Sequence, residues 1–244
     1  MTPASGTADQ NPGALQREHW DKDQSGRRPA SHPAVRALFE PRADFIASLV
    51  DSAKDRSVLD VGCGNGFLTV PLQARFGRAV GLDASAAMVA VNPCREKMVA
   101  SATRLPFDNA SFDVVVASHL LHHLDEADCH AAVAEMGRVA RNAVVLYEPN
   151  RSHPLMLAFG LLKPHEKMLL RFSRGYVSKL LELTNMPERS VRVEGWTTPN
   201  LCPAWWAPVA STLDRTPLHH AGLFIRGVAR RGAPGPVGNE GSAQ

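Results

Sequence analysis

Cysteine is scarce in this 244-residue chain, and none of it is paired. Cys63, Cys94, Cys129 and Cys202 stand far apart, with no C-x-x-C and no His/Cys spacing of the kind that builds a tetrahedral zinc site. Reduced thiols and no bound metal are therefore expected. An excess of one charge is also lacking: 27 Lys and Arg against 24 Asp and Glu leave a formal net charge of +3. Basic residues are scattered apart from short pairs such as Arg27-Arg28 and Arg230-Arg231. No electrostatic stripe is offered to a polyphosphate backbone, so nucleic acid is not an expected partner. No apolar run approaches the roughly 18 residues needed to cross a bilayer, and no basic start leads into an apolar core. Stable membrane insertion is not expected, and the cytoplasm is the expected compartment.

What the chain does have is the composition of an ordinary globular protein, 44% hydrophobic and 21% charged. Residues 1–14 and 231–244 are rich in Gly, Pro, Ser and Ala and cannot bury enough surface to offset their ordering entropy, so disordered tails are expected there. Between them one domain is expected over 15–230. It divides into a helical cap at 15–55, a core at 56–150, an insertion at 151–185 and terminal strands at 186–230. In the cap, Val35, Leu38, Phe39, Phe45, Ile46 and Leu49 share a broad helical face, and Pro41 predicts two short helices or a kink.

The core alternates. Strands are expected at 57–61, 79–82, 96–100, 112–117 and 143–147, with helices at 67–76, 84–91 and 127–140. Short β-branched runs without strict alternation describe strands covered on both faces, and intervening helices imply right-handed crossovers. The reading is a doubly wound α/β sheet. A helix at 177–183 and strands at 191–193 and 223–229 follow.

The informative segment is VLDVGCGNG, Val58 to Gly66. A strand carrying Asp60 runs into Gly62, Gly64 and Gly66 and then a helix; without Cβ atoms the chain can turn tightly and approach a ligand closely. The nearest motif, the dinucleotide fingerprint G-x-G-x-x-G, fails because Phe67 stands where its third glycine belongs. Asp60 also places an acid where a pyrophosphate would be repelled. S-adenosylmethionine (SAM) has no phosphate, and its ammonium group suits that acid. Asp83, ending the next strand in GLDAS, stands where an acceptor takes the ribose hydroxyls of an adenosyl group, or else caps the following helix.

Taken in order, VLDVGCGNGFL, GLDASAAMV, ATRLPFDNASFDVVVASHLLHHL and EMGRVARNAVVLYEPN resemble successive motifs of the class I SAM-dependent methyltransferases, in a subgroup similar to quinone-biosynthesis and natural-product enzymes. The resemblance covers about Val58 to Asn150. It implies a Rossmann-like, mostly parallel seven-stranded sheet with an antiparallel last strand, an N-terminal helical cap and a helical lid. Carried over by residue, it implies that Asp60, Gly62, Gly64 and Gly66 surround the methionyl part and that Asp83 takes the ribose. Ala84 and Met88 would flank the nucleoside, and Ser118 and His119 would lie beside the sulfonium. Ser101 and Ala102 occupy the adenine position, where the family usually has an acid and a small residue.

Methyl transfer from a sulfonium needs alignment and exclusion of water more than a strong catalytic signature. Candidates for a base or for positioning the acceptor are His119, His122, His123, Tyr147, Glu148 and His153, all at or after the C-terminal ends of strands four and five. The alternative for the histidines is capping or lining a pocket. The expected partner is a small-molecule methyl acceptor, with the chain a monomer or homodimer and S-adenosyl-L-homocysteine as product. Met156, Leu157, Phe159, Leu161, Leu162, Met168, Leu169 and Leu170 make the insertion apolar, which suits an aromatic or lipid-like acceptor. Packing of this helix against the sheet is expected over a membrane-binding face, because Pro164 interrupts it. Trp196, Trp205 and Trp206 would wall a pocket or fill a gap. The competing readings are a NAD(P)-dependent oxidoreductase and a non-catalytic SAM-binding protein.

Overall fold

The computed structural model describes residues 28–196, 198, 203, 205–213, 216 and 221–232; the segments 1–27 and 233–244, and Cys202, lie outside them. The disorder expected at 1–14 and 231–244 lies outside the described residues except at Arg231, whose N–H donates to Asn142 O, and Gly232. The sheet is assembled from β1 (Ser57–Val61), β2 (Arg78–Asp83), β3 (Glu96–Val99), β4 (Phe112–Ser118), β5 (Ala140–Pro149), β6 (Glu188–Glu194) and β7 (Phe224–Arg230). Their order is β3-β2-β1-β4-β5-β7-β6. β1, β2, β3, β4 and β5 pair in parallel, and β7 runs antiparallel to both β5 and β6. This is the Rossmann-like doubly wound sheet expected. From β1 the chain works outward to β3, then returns to the other side of β1 for β4. Crossovers on either side of β1 diverge there, opening a crevice at the carboxyl ends of β1 and β4.

Both faces of the sheet are buried, which is why the strands lack strict alternation. On one face Val58, Val114, Val116 and Val145 pack with Val35, Phe39 and Ile46 of α1 (Pro33–Ala47) and Leu72 of α2 (Thr69–Arg75). On the other, Leu59, Val115 and Leu146 pack with Val133 and Met136 of α4 (Glu126–Val139) and Leu180 of α6 (Arg174–Glu182). Each fully buried aliphatic side chain contributes about 1.5–3 kcal/mol. Between these lies the short α3 (Ala86–Val91), capped by Ser85, whose side chain accepts from Met88 N. Asp83 is therefore not the cap of this helix.

Two expectations about helices need correction. The cap forms one helix, Pro33–Ala47, rather than two, with Pro41 inside it on an exposed position. The insertion breaks where Pro164 predicts: α5 spans Pro154–Leu162, Lys163 is extended, and a 3-10 helix follows at Pro164–Arg171. Yet α5 does not pack broadly on the sheet. Only Met156 and Gly160 are buried, while Leu155, Leu157, Phe159, Leu161 and Leu162 are exposed. β5 is longer than expected, reaching Pro149 and extending back to Ala140, which pairs with Phe112 across a bulge. The last described helix, α7 (Trp206–Leu213), is tied to the chain before it by Trp206 Nε1 donating to Trp196 O. Among the described residues, no helix is long and apolar enough to cross a membrane.

Candidate functional site

The crevice is a cleft of about 610 Å³, a size usual for small-molecule sites. Its floor is the glycine turn. Gly62 has φ +73°, and a Cβ there would lie 2.7 Å from Leu120 Cδ1; Gly66 has φ +90°, and a Cβ there would meet Asn92 Oδ1 at 2.5 Å. Left-handed φ and close approach together require glycine at both positions. Gly62 and Cys63 N–H groups both donate to Leu82 O, folding the turn back onto β2.

Two acids flank this turn. Asp60 is buried, and its Oδ2 accepts from Thr69 Oγ1 at 2.7 Å. Burial raises its carboxyl to about 7, opposed by the Thr69 hydroxyl and assisted by the charge of Asp83. Asp83 accepts from Gly64 N at 2.8 Å and from Ser85 N at 2.9 Å, so it braces the turn while facing the cleft. Asp60, Gly62, Gly64, Asp83, Ala84, Met88, Ser101, Ala102, Ser118 and His119 all line the cleft. Gly66 does not; it underlies the turn against Asn92. Ser101 Oγ lies 2.8 Å from Thr103 Oγ1, which adds a second hydroxyl at that wall.

The candidate histidines divide by environment. His119 has φ +57°, an uncommon conformation for a residue with a Cβ, and its Nε2 lies 3.0 Å from Arg42 Nη1. An arginine can only donate, so Nε2 accepts and the ring is neutral. Burial, then the Arg42 charge, then His122, hold its pKa well below the ordinary histidine value. His122 and His123 occupy a 3-10 turn, Leu121–His123, and both line the cleft. Glu148, fully buried at the end of β5, organises this turn. Its Oε1 accepts from Leu120 N and Leu121 N, and its Oε2 accepts from His122 N and lies 2.7 Å from His122 Nδ1.

Tyr147 and His153 sit apart from the cleft lining. Tyr147 is buried in the core with Arg42 stacked 4.5 Å over its ring, and burial pushes its hydroxyl pKa far up. His153 caps α5 by accepting from Leu155 N. Leu155, Met156, Phe159 and Leu169 from the insertion, with Phe39 and Phe224, supply an apolar part of the cleft lining.

Sequence reasoning missed Arg42 and Glu166. Arg42 is buried on α1, bonds Ser118 Oγ and His119, and lies over Phe39, Tyr147 and Phe224. The signal was present: Arg42 lies one helical turn from both Leu38 and Ile46, on the apolar face, where an unpartnered charge would be costly. Glu166 carried no such signal.

Residues 59–147 match the family described as a methyltransferase domain. The chain is 35% identical over 141 residues to a demethylmenaquinone methyltransferase of Mycobacterium sp. (strain KMS), an alignment that covers 56% of this chain and 60% of the relative. The chain thus spans less than two thirds of the length of such relatives. Among solved structures, it resembles geranyl diphosphate C-methyltransferase from Streptomyces coelicolor A3(2), solved with Mg2+, geranyl diphosphate and S-adenosyl-L-homocysteine. That likeness has a TM-score of 0.60 at 16% identity and covers 94% of this chain and 100% of that one. A SAM-dependent methyltransferase from Archaeoglobus fulgidus aligns with a TM-score of 0.58 at 16% identity, over 79% of this chain and 92% of that one. At such identities these two likenesses establish the fold alone.

Proposed function

We propose that this protein is a SAM-dependent methyltransferase that transfers a methyl group to an O, N or C atom of a small, aromatic or lipid-like acceptor in biosynthetic metabolism. It would act in the cytoplasm as a monomer or homodimer. The observation that carries the reading is Asp60, a buried carboxylate beside the glycine turn whose ionisation burial disfavours. A cation delivered to that position relieves the penalty, whereas a pyrophosphate would increase it. The ammonium end of SAM fits, and the phosphates of a nicotinamide dinucleotide do not.

SAM supplies a methyl group already activated on a sulfonium. Asp60 would hold its ammonium, and Asp83 would accept from the ribose hydroxyls while fixing the turn through Gly64 N. Met88, Ser101 and Ala102 would flank the base. Ser118 and His119, both held by Arg42, would lie beside the sulfonium. With His119 kept neutral as an acceptor and Tyr147 in the core, His122 and His123 are the candidate groups left to face an acceptor. The apolar wall excludes water from the reacting atoms. The mycobacterial relative's name points to a quinone-type ring, and the Streptomyces enzyme was solved with an isoprenoid diphosphate; both suit such a wall.

Calorimetric titration with SAM and with NAD tests the donor, and production of S-adenosyl-L-homocysteine with a panel of quinols, phenols and isoprenoids tests turnover. Binding of SAM alone, with acceptor-dependent product, is expected. Preference for NAD, or SAM binding without turnover across the panel, would overturn the reading.

A further inference from the structure

No metal site is legible in the spacing of histidines and cysteines along the chain, but the fold gathers three donors that the sequence separates. His122 and His123 come from the turn after β4, and Glu166 comes from the 3-10 helix of the insertion. One ligand atom of each lies within 4.8 Å of the others. All three residues line the cleft.

Two features of the cluster point to a cation. Glu166 is 8% exposed, and its Oε2 is buried with no hydrogen-bond partner. That oxygen lies 3.6 Å from His122 Nε2 and 4.0 Å from His123 Nδ1, too far for hydrogen bonds. Two ligands of a tetrahedral zinc ion stand ~3.4 Å apart, given bonds of roughly 2.1 Å. The second feature lies behind His122. Its Nδ1 is 2.7 Å from Glu148 Oε2, and Glu148 already accepts three backbone N–H groups, so Nδ1 donates to it. Nε2, the other ring nitrogen, faces the bare oxygen of Glu166, and in the singly protonated ring it is a lone pair free to take a cation. A carboxylate fixing the far nitrogen of an imidazole is the usual support of a metal-binding histidine.

We propose that His122 Nε2, His123 Nδ1 and the Glu166 carboxylate bind a first-row divalent metal ion of the zinc type, leaving a coordination position open to the cleft. Two imidazoles and one carboxylate favour such an ion over Mg2+, which prefers oxygen ligands and water. Closure requires the donors to draw in by about 1 Å, within reach of side-chain rotation. The open position suits a hydroxyl, enolic or carboxylate oxygen of the acceptor; this part of the inference rests on the methyltransferase reading, whereas binding of the ion does not.

The test is titration of the chelator-treated full chain with Zn2+, with Mg2+ as the comparison ion and X-ray absorption on the zinc-loaded sample. One equivalent of Zn2+ with N/O ligands at about 2.0–2.2 Å is expected. Glu166→Gln and His123→Gln are each expected to weaken binding at least tenfold, and Mg2+ should not compete. Absence of stoichiometric binding overturns the proposal. So does wild-type affinity in both variants, or 15N NMR of zinc-exposed protein showing His122 protonated on both nitrogens, which would make the contact a plain ion pair. SAM titration of the same samples separates the two readings: loss of zinc binding with SAM binding intact removes only the metal, and the converse removes only the donor assignment.

Discussion

Arg42 Nη1 reaches 3.0 Å to His119 Nε2, joining the buried face of α1 to the residue that follows β4. Because the guanidinium can only donate, this contact fixes His119 as a neutral acceptor and adds a positive charge beside it. His119 is therefore expected to show no protonation through its ordinary range near pH 6.5 when its ring is followed by NMR. In Arg42→Met the titration should move upward while staying below the ordinary value, since burial remains the larger cause. An unchanged titration would show that the arginine charge does not reach the ring.

Asp60 is expected to set the pH dependence of SAM binding. Its carboxyl is raised to about 7 by burial, so below that pH the free protein carries a proton that an incoming ammonium must displace. Affinity for SAM should fall by up to about tenfold per pH unit below 7 and level off above it. In Asp60→Asn affinity should be weak and its pH dependence flat. Calorimetry between pH 5.5 and 8.5 reads both, and a wild-type profile without that slope would contradict the assignment.

Asp83→Ala removes an acceptor that the turn and the ribose are expected to share. Donor affinity should weaken by about 1–3 kcal/mol through the unpaired hydroxyl and the freed Gly64 N–H. Isothermal titration of the variant measures it, and wild-type affinity would remove Asp83 from the donor site.

The glycines of the turn should differ in tolerance. Gly66→Ala would place a methyl 2.5 Å from Asn92 Oδ1 at φ +90°, whereas at Gly64, with φ +48°, nothing lies within 4 Å. Gly66→Ala should lower thermal stability by more than Gly64→Ala, for which about 1–2 kcal/mol is expected from the left-handed backbone alone. Equal melting temperatures would mean that Asn92 gives way freely.

Glu148→Ala should unfold the Leu121–His123 turn before the sheet. The variant strands Leu120, Leu121 and His122 N–H groups in a buried site, a loss of about 3–5 kcal/mol. Hydrogen exchange at those amides should accelerate far more than at β4, and uniform exchange across both would contradict the anchoring role.

Much of the fold was legible because its signals are local. The runs 57–61 and 112–118 are apolar and β-branched, the turn needs its glycines, and Pro164 ends a helix wherever it stands. The limits were also local in origin. Pro41 argued for two short helices or a kink, and of these the split is absent: packing of Val35, Phe39 and Ile46 on the sheet holds one helix across it. The apolar insertion read as a helix facing the sheet, but α5 turns most of that surface outward.

By itself the sequence determined the doubly wound sheet, the strand that ends in a glycine turn and the two acids beside it, because strand, turn and charge are written in neighbouring residues. Only the tertiary structure decided which histidine is silenced by Arg42, which is anchored by Glu148, and that Glu166 from the insertion meets His122 and His123. Those relationships join residues far apart in the chain, and their chemistry depends on burial and on distances of a few ångströms, which no local pattern of residues encodes.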